Sequence, residues 1–244
     1  MLNFSMIITI KQLLSQQQLT KFNQILEGSN WLNGKATAGH QALKVKNNQQ
    51  LLPDNPVIKS LSDEIISSLE ANDIFISATL PARIFPPAFN RYDQGNSYGA
   101  HIDNALRSFN NGNSSSKNWF RSDISATLFL SDPASYEGGE LVIKHDLGVQ
   151  QIKLNAGDII IYPANTIHQV NEVKSGTRLA SFFWIESMVK NTEERSILFN
   201  IDNNIRNISQ KFREKNISDN QNIVELTGIY HNLLRKWANT ISTF

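Results

Sequence analysis

The chain has 244 residues, 40% of them hydrophobic and 18% charged, with a formal net charge of +1. That composition suits one large globular domain or a domain with an extension. The near balance of 23 basic against 22 acidic residues argues against a dedicated nucleic-acid binder, which carries a clear basic excess. There is no cysteine, which excludes disulfides, thiolate metal sites, iron–sulfur clusters and cysteine nucleophiles. Any metal must therefore sit on histidine, carboxylate or main-chain oxygen. No run reaches the roughly 20 apolar residues that span a bilayer. Residues 1–10 are apolar but lack the basic start and cleavage site of a signal peptide, so they read as a first strand. A cytoplasmic protein that binds no membrane is expected.

After this strand, Ser15 and Gln18 form a capping box, and Leu19, Phe22, Ile25 and Leu26 share one helix face up to a stop at Gly28. A second helix begins at Asn55-Pro56, with proline at its first position and Val57, Ile58, Leu61, Ile65, Ile66 and Leu69 on its apolar side. From residue 74 the pattern changes to short β-type runs. Strands are expected near 74–80, 84–92, 125–130, 139–144, 150–154, 158–162, 167–173 and 178–185. Gly138-Gly139, Asn155-Ala156-Gly157 and Lys174-Ser175-Gly176 supply turns. Short strands at such spacing indicate a sandwich, barrel or jelly roll. The run RSFNNGNSSSKN, from Arg107 to Asn118, reads as a polar loop. Past Met188 the pattern is helical again. Thr192 is the expected cap for a stripe of Ile197, Leu198, Ile201, Ile205, Ile208 and Phe212, and a last helix carries Ile223, Leu226, Tyr230, Leu233, Leu234 and Trp237. The expected organisation is an N-terminal strand and helices over residues 1–82, a β-domain over 83–187 and a helical extension over 188–244.

Five histidines are available: His40, His101, His145, His168 and His231. His101 and Asp103 are two residues apart and share one side of an extended chain, a weak signal by itself. His168 follows 67 residues later, with Arg178 ten beyond it. If residues 174–176 join two antiparallel strands, Arg178 lies opposite Glu172, on the same face as His168. The gap along that face is then roughly 13 Å at about 3.4 Å per residue. Two histidines and one aspartate make a facial triad for ferrous iron, with coordination positions left open. A 2-oxo acid can chelate there through its keto and carboxylate oxygens, and O2 can take the last position. An arginine suits the distal carboxylate of a short dicarboxylate, because its planar fork binds both oxygens and keeps its charge. Ala180, Phe182 and Trp184 continue an apolar wall on the parity of Arg178.

The motifs VKNNQQ (45–50), FNRY (89–92), YGAHID (98–103), SATLFLSDP (125–133), YEGGELV (136–142), AGDIIIYP (156–163), RLASFFWIESM (178–188), DNNI (202–205) and YHNLLRKW (230–237) cover nearly the whole chain. In these motifs the sequence closely resembles the PKHD-type hydroxylases, bacterial members of the prolyl/lysyl-hydroxylase-like branch of iron(II)/2-oxoglutarate dioxygenases. The resemblance implies a mainly β fold, a double-stranded β-helix (jelly roll) with flanking helices. It implies hydroxylation of a substrate with conversion of 2-oxoglutarate to succinate and CO2. His101, Asp103 and His168 become the iron ligands, and Arg178 the anchor for the distal carboxylate of 2-oxoglutarate, supported by Tyr92. No catalytic residue beyond the metal ligands is implied. Ascorbate often keeps iron reduced in this branch, and its members tend to be linked with iron and siderophore uptake.

Two other readings stand beside this one: a cupin-like metal enzyme without 2-oxoglutarate, and a non-catalytic jelly-roll module that binds or senses metal. Neither needs a cation at Arg178. Glu140 reads as part of a glycine turn, His145 and His40 as surface residues, and His231 as a packing or capping residue on the last helix. The polar 107–118 loop follows His101 and Asp103 directly and is expected to close over substrate at the mouth of the site. The substrate itself, a peptide or a small molecule, is not legible.

Overall fold

The computed structural model describes residues 6–37, 42–52, 54–109, 118–145, 148–215 and 221–239. Strand β1 (Ile8–Ile10) leads into helix α1 (Gln16–Glu27), where the capping box forms: Ser15 Oγ accepts the Gln18 N–H and the Gln18 side chain accepts the Ser15 N–H. Short strands β2 (Leu32–Asn33), β3 (Lys46–Asn47) and β4 (Gln49–Leu51) follow. Helix α2 (Pro56–Glu70) starts as expected, with Asn55 accepting the Val57 N–H at 2.9 Å.

The segment expected as a strand over 74–80 is instead helix α3 (Asp73–Thr79). Asn72 caps it by accepting the Phe75 N–H, and Leu80 ends it in the left-handed region at φ +43°. Its β-branched and aromatic composition is overridden because Phe75, Ala78 and Thr79 all bury on one helical side. The expected strand over 84–92 is split in two, β5 (Pro81–Ile84) and β6 (Ala88–Tyr92). Pro86 and Pro87 interrupt it because they have no N–H to give a ladder.

The remaining strands are β7 (Ser97–His101), β8 (Leu106–Phe109), β9 (Asn118–Arg121), β10 (Ile124–Phe129), β11 (Tyr136–Gly138), β12 (Leu141–His145), β13 (Gly148–Ile152), β14 (Ile159–Pro163), β15 (Ile167–Val170), β16 (Val173–Gly176) and β17 (Arg178–Ser187). β7 lies outside the expected strands. The ends of the expected 107–118 loop are strand arms, with Arg107 opposite Phe120 and Ser108 opposite Trp119. Residues 110–117 lie outside the described residues. Helices α4 (Thr192–Glu214) and α5 (Gln221–Trp237) complete the chain. The cap of α4 is Asn191, not Thr192: its Oδ1 accepts the N–H groups of Glu193 and Glu194 at 2.8 and 3.1 Å. No described helix is long and apolar enough to cross a membrane.

The major sheet runs β1-β14-β10-β17-β6-β4-β2, with β5 also on β17, and the minor sheet runs β13-β12-β15-β7-β3. Taken in chain order, β10, β12, β14, β15 and β17 alternate between the two sheets, with β13 a hairpin partner of β12, which is the winding of a double-stranded β-helix. The outer face of the major sheet is covered by α1, α2 and α3: Phe22, Leu61, Ile65 and Phe75 pack against Phe89, Leu128, Ile161 and Phe183. The opposite parity, Tyr92, Phe129, Ile160 and Tyr162, faces inward against Leu141, Ile143 and Val170 of the minor sheet. Burial on both faces is why β14 reads Ile159-Ile160-Ile161 with no polar alternation.

One expected register does not form. Residues 174–176 are no hairpin turn but part of β16, which pairs with β11. Two glycines make this possible. Gly138 sits at φ +73°, and a Cβ there would lie 2.1 Å from the Glu172 carbonyl oxygen; that oxygen in turn accepts the Gly139 N–H. The chain therefore crosses between sheets after His168, and Arg178 lies opposite Tyr92 of β6, not Glu172.

Candidate metal centre

His101 ends β7, His168 lies on β15, and the two are register partners in the minor sheet. Both imidazoles are fixed in the same way. Nδ1 faces the carbonyl two residues back, Gly99 at 2.8 Å for His101 and Thr166 at 2.9 Å for His168. With Nδ1–H donating to the backbone, each Nε2 keeps its lone pair for another partner. Tyr98 stacks on His101 with centroids 3.7 Å apart, and Tyr162 meets His168 edge-on. Burial, and then the neighbouring His168, pulls the His101 pKa down to about 4, which keeps the ring neutral and able to ligate.

Asp103 follows just beyond β7, with Oδ2 3.6 Å from His168 Nε2. Ser125 of β10 donates its hydroxyl to that same oxygen at 2.6 Å, while Arg107 Nη2 approaches Oδ1 at 3.3 Å. Burial would raise the Asp103 carboxyl, but His168, Arg107 and Ser125 outweigh it and hold it below the usual range. One donor atom each from His101, Asp103 and His168 lies within 4.8 Å of the others. Two imidazole nitrogens and one carboxylate oxygen form a donor set suited to a first-row divalent ion, with several coordination positions left over.

Arg178 enters the same cavity from the major sheet. It is 1% exposed, yet its Nε and Nη2 are buried with no hydrogen-bond partner among the described residues. Its guanidinium carbon lies 5.2 Å from the ring centroids of both Tyr92 and Phe129. Burial raises the Tyr92 phenol, which stays protonated. Gly139, at φ +65°, makes room for the arginine stem: a Cβ there would meet Arg178 Cδ and Tyr136 Cε2, each at 3.1 Å. A desolvated cation with two N–H groups left unsatisfied is costly, so this one is suited to an anionic ligand. The cavity, about 770 Å³, is bordered by His101, Asp103, His168, Arg178 and Tyr92 together.

The other histidines are not drawn in. His145 ends β12, His231 is exposed on α5 beside Tyr230, and His40 lies outside the described residues. Glu140 accepts a hydrogen bond from Asn171 at 3.1 Å. Sequence reasoning gave no role to Ser125, Tyr98 or Lys46, although each lies in one of the motifs that carry the resemblance, and it read Arg107 as part of a polar loop.

This fold and cavity define an iron(II)/2-oxoglutarate oxygenase, and the sequence model of the 2OG-Fe(II) oxygenase superfamily matches residues 87–186. The model of the PKHD-type hydroxylase C-terminal domain matches residues 193–239. A PKHD-type hydroxylase of Pseudoalteromonas atlantica is 47% identical over 233 residues, covering 96% of this chain and 99% of the relative. One from Paraburkholderia phytofirmans is 45% identical, covering 96% and 100%. The chain belongs to the PKHD-type hydroxylases. Solved structures agree on the fold: HygX of Streptomyces hygroscopicus, with nickel, 2-oxoglutarate and hygromycin B bound, has a TM-score of 0.53 at 14% identity, covering 74% of this chain and 82% of its own. A Trichoplax adhaerens prolyl hydroxylase has 0.50 at 15% identity, covering 73% and 82%.

Proposed function

We propose that His101, Asp103 and His168 hold ferrous iron, and that Arg178, flanked by Tyr92, binds the distal carboxylate of 2-oxoglutarate. The observation that carries this reading is one cavity shared by three donors from β7, the segment after it and β15, and a buried arginine of the major sheet with two unsatisfied N–H groups. When bound, iron supplies oxygen activation: O2, 2-oxoglutarate and a substrate C–H become succinate, CO2 and the hydroxylated product. The chain itself does the positioning. Gly99 and Thr166 fix the imidazole tautomers, Ser125 and Arg107 orient the Asp103 carboxylate, and Tyr92 and Phe129 keep water off the Arg178 fork. A link to iron and siderophore homeostasis rests on the family resemblance.

The test is anaerobic titration of ferrous protein with 2-oxoglutarate, read by its metal-to-ligand charge-transfer absorption. The wild type should develop the band, and the Arg178→Ala protein should need far more 2-oxoglutarate to reach it. Coincident titration curves would defeat the Arg178 assignment and favour a cupin-like enzyme.

A further inference from the structure

Near Arg178 the cavity wall carries a polar group to which the reading above gives no role, Asn90 of β6. Asn90 is 8% exposed. Its Oδ1 accepts two side-chain N–H groups from buried neighbours, Asn48 Nδ2 at 3.2 Å and Gln50 Nε2 of β4 at 2.8 Å. These bonds fix the sense of the amide, because reversing it alone would set N–H against N–H twice. Nδ2 therefore points away from Asn48 and Gln50. It donates to no acceptor among the described residues and, unlike Nε and Nη2 of Arg178, is not shut off by neighbouring atoms. It opens on the cavity that Asn90 lines.

The strand register sets this donor on the way from the cosubstrate anchor to the triad. On β17 the cavity-facing positions run Arg178, Ala180, Phe182 and Trp184. Arg178 pairs with Tyr92, Ala180 with Asn90, and Trp184 with Ser125, whose hydroxyl holds Asp103. A ligand reaching from Arg178 toward the three donors passes the level of Ala180, about 7 Å along the strand at about 3.4 Å per residue. At that level the floor is the methyl group of Ala180. Phe129 of β10 pairs with it on one side, and Asn90 of β6 on the other.

We infer that Asn90 is a cosubstrate-binding residue, its Nδ2–H donating to the 2-oxo acid end of 2-oxoglutarate. This rests on the iron and 2-oxoglutarate reading of the same cavity. The fork of Arg178 takes the distal carboxylate, so the 1-carboxylate is the anionic group left for a second donor. A 2-oxo acid that chelates through its keto oxygen and one carboxylate oxygen leaves the other carboxylate oxygen free to accept a charge-assisted hydrogen bond. Asn48 and Gln50 hold the donor in place before the ligand arrives, which keeps the ordering cost of that bond low. A donor fixed on the β6 side also selects one of the two ways in which the chelating end can turn.

The test is calorimetry on protein loaded with manganese in place of iron, with two ligands. One is 2-oxoglutarate; the other is 2-oxopentanoate, which keeps the 2-oxo acid and lacks the distal carboxylate. The wild type should bind both, 2-oxopentanoate the more weakly. Asn90→Ala removes the donor and should weaken both ligands by a common factor, roughly ten- to a hundredfold. Asn90→Asp keeps an oxygen for Asn48 and Gln50 and should weaken both at least as much; loss of detectable binding counts as weakening. Manganese affinity without either ligand should match the wild type in both variants. Wild-type affinity for 2-oxoglutarate in either variant overturns the inference, and so does a loss confined to 2-oxoglutarate or a wild type that binds no 2-oxopentanoate. A fall in manganese affinity alongside the cosubstrate would make Asn90 a support of the fold and overturn it too. All of these leave the Arg178 assignment standing. Failure of the wild type to bind 2-oxoglutarate removes the cosubstrate reading and this one with it.

Discussion

Replacing Arg178 with methionine should stabilise the ligand-free protein while destroying its affinity for 2-oxoglutarate. Two donors of this fully buried side chain, Nε and Nη2, have no partner among the described residues. Each such group costs about 1–3 kcal/mol. Against that stand two aromatic faces, Tyr92 and Phe129, each 5.2 Å from the guanidinium carbon and worth about 0.5–2 kcal/mol as cation–π partners. A methionine thioether regains part of that on the same rings. The net gain should be about 1–3 kcal/mol, with Tm rising by roughly 2–4 °C per kcal/mol for a chain of this size. Binding moves the other way. Loss of a charge-assisted bidentate contact costs about 2–5 kcal/mol, a factor of roughly thirty to several thousand in Kd. Differential scanning calorimetry of metal-free protein, repeated with manganese and 2-oxoglutarate, reads both effects. The reasoning fails if the methionine protein melts below wild type without ligand, or if manganese and 2-oxoglutarate raise both melting temperatures equally.

Three further outcomes are expected. His101→Ala, Asp103→Ala and His168→Ala should each lose stoichiometric ferrous iron binding while keeping the circular dichroism spectrum of a folded protein; one-to-one binding in any of them removes that residue from the site. Ser125→Ala deletes the 2.6 Å hydrogen bond to Asp103 Oδ2 and should weaken manganese binding about 10–100-fold, read by electron paramagnetic resonance titration, with an unchanged Kd refuting the orienting role. Gly139→Ala forces a Cβ into a φ +65° position against Arg178 and Tyr136; it should lower stability by about 1–3 kcal/mol in urea unfolding and weaken 2-oxoglutarate binding as well, and a stability equal to wild type would count against the close-packed stem.

What could be read in the sequence was what local chemistry decides. The Ser15–Gln18 box and the Asn55-Pro56 start are fixed by side chains reaching their own backbone, and both form. The His101-x-Asp103 pair is weak alone and stands out only beside His168, Arg178 and the expected jelly roll. Positions that depend on how the sheets wrap were not legible. Arg178 was placed along one strand face from His168, whereas it faces the triad across the sandwich, because Gly138 and Gly139 draw residues 173–176 onto β11. Residues 73–79 carry strand-like side chains and fold as a helix because Asn72 caps them and the neighbouring core takes Phe75. Ser125 was invisible for the same reason, since its hydroxyl meets Asp103 only once β10 and the segment after β7 lie side by side.

The way the two imidazoles are held has a consequence for how such a protein can diversify. Each ring is oriented by the carbonyl two residues before it on its own strand, so the side chains lining the rest of the cavity have no part in setting its tautomer. Substitutions on the substrate side can accumulate without renegotiating two of the three donor positions. Asp103 is the exception, held through the side chains of Ser125 and Arg107. A substitution at Arg107 or Ser125 is therefore felt at one of the three donors, and that is where a change to the cavity wall is set against retention of the cluster.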